Sequence, residues 1–258
     1  MSAPENLSIV VDWGTSNFRA YLVRDDGLCL ERINTADGLN NVERRFADVL
    51  LQHIGNWLQQ HGPLTTLLGG MVGSPAGWQL VPHLPSPVSL KQLAQYSQPL
   101  PEFTPCPAWI VPGVSGTGVA GSFDVMSGEL FGLLSQQSIL ADSIDAHAVW
   151  NDDAFYRGID HAEKSGGLLH HLFSVRSRNL NGEHSAREGL PYLSGLIIGH
   201  ELLNLSAKPT RSIGIVGAHA LAQHYQMALT YRGYEAFCVD SEAATILGAL
   251  AIMPHLLN

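Results

Sequence analysis

A carboxylate, a glycine, two hydroxyls and an amide stand together near the start of the chain, in Asp12-Trp13-Gly14-Thr15-Ser16-Asn17. The apolar run Ile9-Val10-Val11 before them reads as a buried strand that ends at the acid. Phe18-Arg19-Ala20-Tyr21-Leu22 after them reads as a second strand, with Phe18, Ala20 and Leu22 on one face and Arg19 and Tyr21 on the other. A turn of this make-up can offer backbone N–H groups and hydroxyls to a phosphate, with the carboxylate of Asp12 placed to hold a metal ion. No helical pattern follows Gly14, which excludes a Rossmann turn and a Walker A loop, since both open a helix.

Three further stretches carry chemistry. Gly69-Gly70-Met71-Val72-Gly73-Ser74-Pro75-Ala76-Gly77-Trp78 follows the short apolar run Leu64–Leu68, and glycines after a strand let backbone approach a ligand closely. Leu172-Phe173-Ser174-Val175-Arg176-Ser177-Arg178 offers guanidinium groups, of which Arg176 is the candidate for reading a substrate carboxylate. Ile215-Val216-Gly217-Ala218-His219-Ala220-Leu221 reads as strand, glycine turn and helix start, where Gly217, Ala218 and Leu221 can pack on an adenine and its phosphates. The 12 histidines make no metal-binding motif: His170 and His171 are adjacent, His219 and His224 are five apart, and His-Glu-x-x-His is absent.

The elements that must hold these groups follow from periodicity. Strands are expected at Leu7–Val11, Arg19–Val23 and near Gly27–Arg32, and a helical stripe runs from Val42 to Leu58. Prolines from Pro82 to Pro112 leave room for a helix only around Leu90–Tyr96. The second half reads as helices at Glu129–Ile139, Ala154–Glu163, Gly167–Phe173 and Tyr192–Leu203. Ser212–Val216 and Phe237–Val239 read as short strands, and Ser241 caps a last helix reaching Met253. Strands before glycine turns, alternating with helices, give an α/β class in two blocks that meet near Ser127. A net charge of -9 argues against nucleic acid as a partner, and with 14 Lys plus Arg an anionic ligand must be met by locally placed cations. No secretory leader is visible and no apolar run is long enough to span a bilayer. Three widely spaced cysteines suit reduced thiols and a cytoplasmic location.

The strand–Asp-x-Gly-Thr–strand hairpin resembles the first phosphate loop of the actin, sugar-kinase and Hsp70 superfamily. The chain as a whole resembles the 2-dehydro-3-deoxygalactonokinase family. The resemblance rests on Asp12-Trp13-Gly14-Thr15-Ser16-Asn17-Phe18-Arg19-Ala20, Gly70-Met71-Val72-Gly73-Ser74 with Gly77-Trp78 and Pro82-His83-Leu84-Pro85, Ile110-Val111-Pro112-Gly113, and Asp124-Val125-Met126. It continues through Gly128-Glu129-Leu130, Leu172-Phe173-Ser174-Val175-Arg176 and Tyr192-Leu193-Ser194-Gly195-Leu196-Ile197-Ile198-Gly199.

The resemblance implies a two-lobed actin-like ATPase (ribonuclease H-like) fold with a central cleft. Residues 1–126 would form the lobe with the first phosphate loop and sugar-acid site, and 127–258 the lobe with the adenosine-binding turn. It implies ATP-dependent phosphorylation of 2-dehydro-3-deoxy-D-galactonate at the C6 hydroxyl, with ATP and Mg²⁺ as cofactors. Asp12 would hold Mg²⁺, Gly14, Thr15, Ser16 and Asn17 would line the phosphates, and Arg19 would neutralise their charge. Gly70, Met71, Val72, Gly73, Ser74 and Trp78 would face the sugar acid, and the general base would be Asp124 or Glu129. A sugar acid and a nucleotide are the expected partners, with no membrane; a homodimer is left open.

One departure stands out. The family carries a strand pair with a Pro-Gly-Thr-His-x-Lys-Trp motif, its second phosphate loop, between the segments that here meet as Asp124-Val125-Met126 and Ser127-Gly128-Glu129. Several dozen residues are absent at this join. Either the second lobe truly lacks its phosphate hairpin, which favours a non-catalytic sugar-acid or nucleotide-binding relative, or residues are missing from the sequence there.

Overall fold

The computed structural model describes residues 6–115, 127–203, 205 and 212–256. The continuous apolar run Ile9–Val11 and the alternating run from Phe18 produce β1 (Leu7–Trp13) and β2 (Phe18–Arg24), paired antiparallel, and β3 (Cys29–Thr35) extends the meander. The stripe expected from Val42 becomes α1 (Phe46–His61), which buries Phe46, Val49, Leu50, Ile54 and Trp57. It starts four residues late because Glu43 and Arg44 both have positive φ, which no helix admits. The chain then enters β4 (Thr65–Gly70), parallel to β1. Short elements follow: β5 (Leu84–Pro85), α2 (Leu90–Tyr96), β6 (Gln98–Pro99), β7 (Ala108–Ile110) and β8 (Val114–Ser115). Ser89 and Gln92 form a capping box at the head of α2, so this helix occupies the window left by the prolines. The sheet order is β3-β2-β1-β4-β7-β6, with β1, β4 and β7 parallel at its centre.

The second unit opens with five helices: α3 (Ser127–Gln137), α4 (Asp152–Ala162), α5 (Gly167–Leu172), α6 (Ser174–Leu180) and α7 (Ala186–Leu202). The strand–helix–strand run β9 (Ile213–Gly217), α8 (His219–Tyr231) and β10 (Ala236–Asp240) follows them. The helix expected from Tyr192 begins at Ala186, because Ser185 and Glu188 supply a capping box there. Gly195 and Gly199 share one face of α7 and let it press against α4. A Cβ on Gly195 would lie 1.9 Å from the Phe155 carbonyl oxygen, and one on Gly158 would lie 2.3 Å from that of Tyr192. The glycines of the Leu-Ser-Gly-Leu-Ile-Ile-Gly motif are thus packing residues. β9 and β10 pair in parallel and, among the described residues, form a sheet of two strands. Val216 is 60% exposed and Phe237 49% exposed. Parallel strands ordinarily have both faces covered and more neighbours than this.

The chain ends in α9 (Ser241–Ile252), which packs with the first unit and not the second. Ile246, Ala249, Ile252 and Met253 cover Val10, Tyr21, Val23 and Leu67 on one face of the large sheet. The other face carries α1 over Ile9, Val11, Phe18, Ala20 and Leu22. The alternation of β2 therefore separates two buried layers, and Tyr21 is 4% exposed. The boundary expected between 126 and 127 falls beside the undescribed stretch 116–126, and the segment from Glu242 belongs with the first unit.

Histidines concentrate inside the second unit. His171 Nε2 bonds the Ser165 carbonyl at 3.1 Å, and a carbonyl only accepts, so this nitrogen carries the proton. His171 Nδ1 must then accept from His200 Nε2–H at 2.8 Å. Burial pushes His161 down to about 4, helped by the neighbouring His171 ring and by the Arg178 guanidinium. Burial also lowers His184, His200 and His224. The unfolded chain takes up these protons near pH 6.5 while the folded chain resists until about pH 4 for His161. Stability is therefore expected to fall as pH drops through that window. Thermal unfolding between pH 7.5 and 5 checks this: the melting temperature should decline on acidification, less steeply in His161→Gln. A melting temperature flat across the window in the unmodified protein would contradict it.

Candidate active site

The central strands of the first unit all point the same way, and their carboxyl ends gather the sequence-predicted residues. Ligands in open α/β sheets bind at such ends. Asp12 lies in register with Gly69 of β4 on one side and with Arg19 of β2 on the other. Arg19 Nη1 donates to Asp12 Oδ2 at 2.9 Å, so the guanidinium is turned toward the acid at the head of the turn. Gly70 has φ 91°, and a Cβ there would sit 2.8 Å from the Trp13 carbonyl oxygen and 3.2 Å from Asp12 Oδ1. Glycine at 70 is thus required twice, by backbone conformation and by the space it leaves beside the Asp12 carboxylate.

The turn between β1 and β2 is closed by Gly14 N–H bonding the Asn17 carbonyl at 2.9 Å. Its outer carbonyls are tied down, since Leu39 N–H bonds Gly14 O and Asn40 N–H bonds Thr15 O, each at 3.1 Å. The side chains of Thr15, Ser16 and Asn17 are exposed. Among the described residues no hydrogen bond is made by the Thr15 or Ser16 amides, which leaves these donors for a ligand or water.

The glycine loop after β4 folds as a tight knot. Ser74 N–H bonds Met71 O, Trp78 N–H bonds Val72 O and Val81 N–H bonds Gly73 O. Met71 is exposed, whereas the Val72 side chain is fully buried in the core and a Cβ on Gly73 would meet Ile110. Trp78 packs among Trp13, Phe46 and Phe103. The side chains at 72 and 78 therefore shape the loop from beneath. Ser74 Oγ is buried and has no hydrogen-bond partner among the described residues, and an orphaned hydroxyl of this kind costs free energy unless something completes it. Nearby, Leu84 N–H bonds Gly113 O, and the His83 ring lies where a Gly113 Cβ would be, 2.6 Å from it. A shallow apolar groove lined by Pro63, Phe103, Pro105 and Cys106 lies where β4 and β7 begin, at the opposite end of these strands.

In the second unit the strand–glycine–helix pattern forms as expected. β9 ends at Gly217, Ala218 precedes the first turn of α8, and a Cβ on Gly217 would meet nothing within 4 Å. Leu221 on α8 lies 3.8 Å from where a Gly128 Cβ would be. Ser127 Oγ and Tyr225 Oη are 2.7 Å apart, and the Tyr225 hydroxyl also donates to Glu201. Burial, then Glu201, raises the Tyr225 pKa. The head of α3 is therefore fastened to α8, the helix that follows the Gly217 turn, and it carries Glu129 exposed in its first turn. Asp124 lies outside the described residues. The Arg176 guanidinium binds the Ile139 carbonyl at 3.0 Å and Asp142 at 3.3 Å, tying α6 to the 3-10 turn Ala141–Ser143. Arg176→Ala is accordingly expected to lower the melting temperature by a few degrees, as loss of a partly exposed charged contact does; an unchanged melting temperature would contradict the tie.

Three features escape the sequence reading. The first is the segment Asp37–Asn40, which seats the turn; its Asp-Gly pair directly after a strand is the available signal. The second is His83, whose place depends on a strand pairing thirty residues away. The third is the Tyr225–Glu201 bond, which joins α8 to α7 and has no local signature. Among the described residues no cluster of three His, Cys, Asp or Glu side chains could hold a metal ion. No described helix is long and apolar enough to cross a membrane.

The comparisons with known proteins agree on one family. A family model described as 2-keto-3-deoxy-galactonokinase matches residues 12–129 and, in a second piece, 117–252. The 2-dehydro-3-deoxygalactonokinase of Escherichia coli K12 is 24% identical over 295 aligned residues, covering 97% of this chain and 98% of that protein. A Rhizobium meliloti protein assigned the same activity, DgoK1, is 25% identical and covers 93% of this chain and 94% of its own. The crystal structure of a Sinorhizobium meliloti protein assigned as a 2-dehydro-3-deoxygalactonokinase shares the fold, with a TM-score of 0.80, 24% identity, and 96% and 97% of the two chains covered.

Proposed function

Because the chain belongs to the 2-keto-3-deoxy-galactonokinase family and is a carbohydrate kinase, we propose that it transfers the γ-phosphoryl group of ATP to the C6 hydroxyl of 2-dehydro-3-deoxy-D-galactonate, on an actin-like ATPase fold. The observation that carries this reading is the exposed Gly14–Asn17 turn, with the Thr15 and Ser16 amides unbonded among the described residues and the Asp12 carboxylate at its base. Amides held in place ahead of time stabilise phosphoryl oxygens without reorganising.

Mg²⁺ in such sites takes one or two protein carboxylates and completes its shell with phosphate oxygens and waters. The residues present fit that demand: Asp12 is a single partly exposed carboxylate, and glycine at 70 keeps the space beside its Oδ1 free of a side chain. When bound, Mg²⁺ supplies neutralisation of phosphate charge. Thr15, Ser16 and Asn17 orient the phosphates, and Arg19 exchanges part of its bond with Asp12 for a phosphate oxygen. Ser74 Oγ, with the backbone of Gly70 to Gly73, receives the sugar acid and so gains the partner it lacks. Gly217, Ala218 and Leu221 receive the adenosine. The proton of the C6 hydroxyl leaves to a carboxylate, for which Glu129 and Asp124 are the candidates.

A second reading, a non-catalytic binder of the sugar acid or nucleotide, is favoured by one feature of the second unit. Its two parallel strands leave Val216 and Phe237 largely exposed, as the remnant of a larger sheet would. The aligned length of 295 exceeds this chain's 258 residues, and the family match breaks into pieces that overlap at 117–129. We read these together as the place of an absent strand pair at the join of 126 and 127. ADP release, measured with ATP, Mg²⁺ and the sugar acid, separates the two readings. Release that requires the sugar acid supports the kinase. Binding of both ligands with no release supports the binder.

A further inference from the structure

The segment that seats the phosphate turn is itself held by a cluster of side chains to which no role has been given above. The segment after β3 runs Ala36-Asp37-Gly38-Leu39-Asn40 and presses its backbone onto the turn. A Cβ on Gly38 would lie 2.3 Å from the Ser16 carbonyl carbon and 2.4 Å from the Thr15 carbonyl oxygen, so this approach requires glycine. Leu39 and Asn40 donate the two N–H bonds that fix the Gly14 and Thr15 carbonyls. Asp37 anchors the segment on four sides. Its carboxylate accepts from His53 Nε2–H at 2.8 Å and from the Thr35 hydroxyl at 3.1 Å. Its N–H bonds that hydroxyl at 3.3 Å, and its carbonyl accepts from the Trp13 indole at 2.9 Å. His53 comes from α1, is 12% exposed, and stacks on Phe18, the residue where the turn re-enters the sheet.

We propose that Asp37, held by His53, is a positioning residue that sets the Thr15 and Ser16 amides for the nucleotide phosphates. Neither side chain touches the ligand in this role. Asp37 fixes the Gly38–Asn40 backbone, that backbone fixes the carbonyls of Gly14 and Thr15, and the peptide planes so fixed aim the amides that follow them. A carboxylate suits the task because it accepts from imidazole and hydroxyl at once, and the imidazole, 12% exposed, is held in place by its packing while the carboxylate is partly open to water. The inference rests on the reading of Gly14–Asn17 as a phosphate turn.

The test uses the full chain in two measurements. Hydrogen exchange of the peptide spanning residues 12–19 reports the turn without assuming any ligand. Titration with ATP in the presence and absence of Mg²⁺ reports the site. In Asp37→Ala and His53→Leu, exchange at residues 14–16 should quicken, and ATP affinity should fall about tenfold to hundredfold, the scale set by misplacing a positioned group by an ångström. The KM for the sugar acid should stay within about twofold, since uniform loss of structure would move both ligands together. His53→Gln, which keeps a donor for Asp37, should restore most of the loss. If either variant fails to fold, Asp37→Asn, which removes the charge of the acceptor, set against His53→Gln, which keeps the donor, gives the comparison in chains of nearly unchanged shape: ATP affinity should fall in the first and hold in the second. Faster exchange with unaltered ATP affinity, or equal weakening of both ligands, overturns the positioning role. Absence of ATP binding in the unmodified chain overturns it together with the phosphate-turn reading, and is told apart from those outcomes by occurring before any substitution.

Discussion

Asp12→Asn is expected to lower turnover by about 10²–10³-fold, the usual consequence of removing one well-placed electrostatic contributor. The substitution keeps the shape and removes the charge. The amide oxygen it introduces could still accept from Arg19, so the β1–β2 pairing, which depends on backbone bonds in the register Asp12 to Arg19, should survive. The melting temperature should therefore change little while turnover collapses. Saturating Mg²⁺ should not restore the rate, because the lost group is the carboxylate itself. Unmodified turnover in Asp12→Asn at saturating Mg²⁺ would remove Asp12 from the site and leave its bond to Arg19 as a structural pair.

Gly195→Val should have the largest effect on folding. The added Cβ would stand 1.9 Å from the Phe155 carbonyl oxygen, which belongs to the backbone of α4 and cannot swing aside. α4 and α7 would have to separate along a seam that also holds Gly158 and Gly199. Overpacking of this kind costs ~3 kcal/mol or more, a large share of the roughly 5–15 kcal/mol that typically separates folded from unfolded chains. The expected result is a second unit that no longer melts cooperatively, read by calorimetry and near-ultraviolet circular dichroism. Gly132→Ala, at a position where a Cβ meets nothing within 4 Å, is the matched control and should be neutral or slightly stabilising. A cooperative transition at the unmodified temperature in Gly195→Val would refute the close crossing.

The legible parts of this chain are those set by local rules. The two strands around Asp12 follow from an apolar run and an alternating one, α2 from the window that the prolines leave, and the Gly217 turn from a strand followed by a helical stripe. The start of α1 lies later than periodicity places it because the positive φ of Glu43 and Arg44 has no compositional signal; both residues are good helix formers. α6 escapes a reading by periodicity because its seven residues are polar on most sides and its order comes from packing against α7. In the candidate site, Asp12, Arg19 and Gly70 meet because β1 lies between β2 and β4; the turn motif implies the first of these pairings, and the second comes from the sheet order. Trp78 and Val72 belong to the same motif as Ser74, yet only the structure separates the side chains that support the loop from the hydroxyl left without a partner. Arg176 illustrates the converse: its residue type suits a substrate carboxylate, while spacing gave no sign that its guanidinium ties together two segments of the second unit. Asp37 is invisible to spacing because its partners His53, Thr35 and Trp13 come from three different elements.

Phosphoryl transfer to a primary hydroxyl of a sugar acid is the central claim, and phosphorus NMR of the reaction mixture observes that transfer directly. The full chain would be incubated with ATP, Mg²⁺ and 2-dehydro-3-deoxygalactonate, and the spectrum recorded with proton coupling retained. The expected result is a new phosphate monoester signal split by the two protons of a CH₂–O–P group, growing in step with ADP and absent when the sugar acid is left out. Inorganic phosphate appearing in place of the monoester, a monoester on a secondary carbon, or a spectrum of unchanged ATP would contradict it.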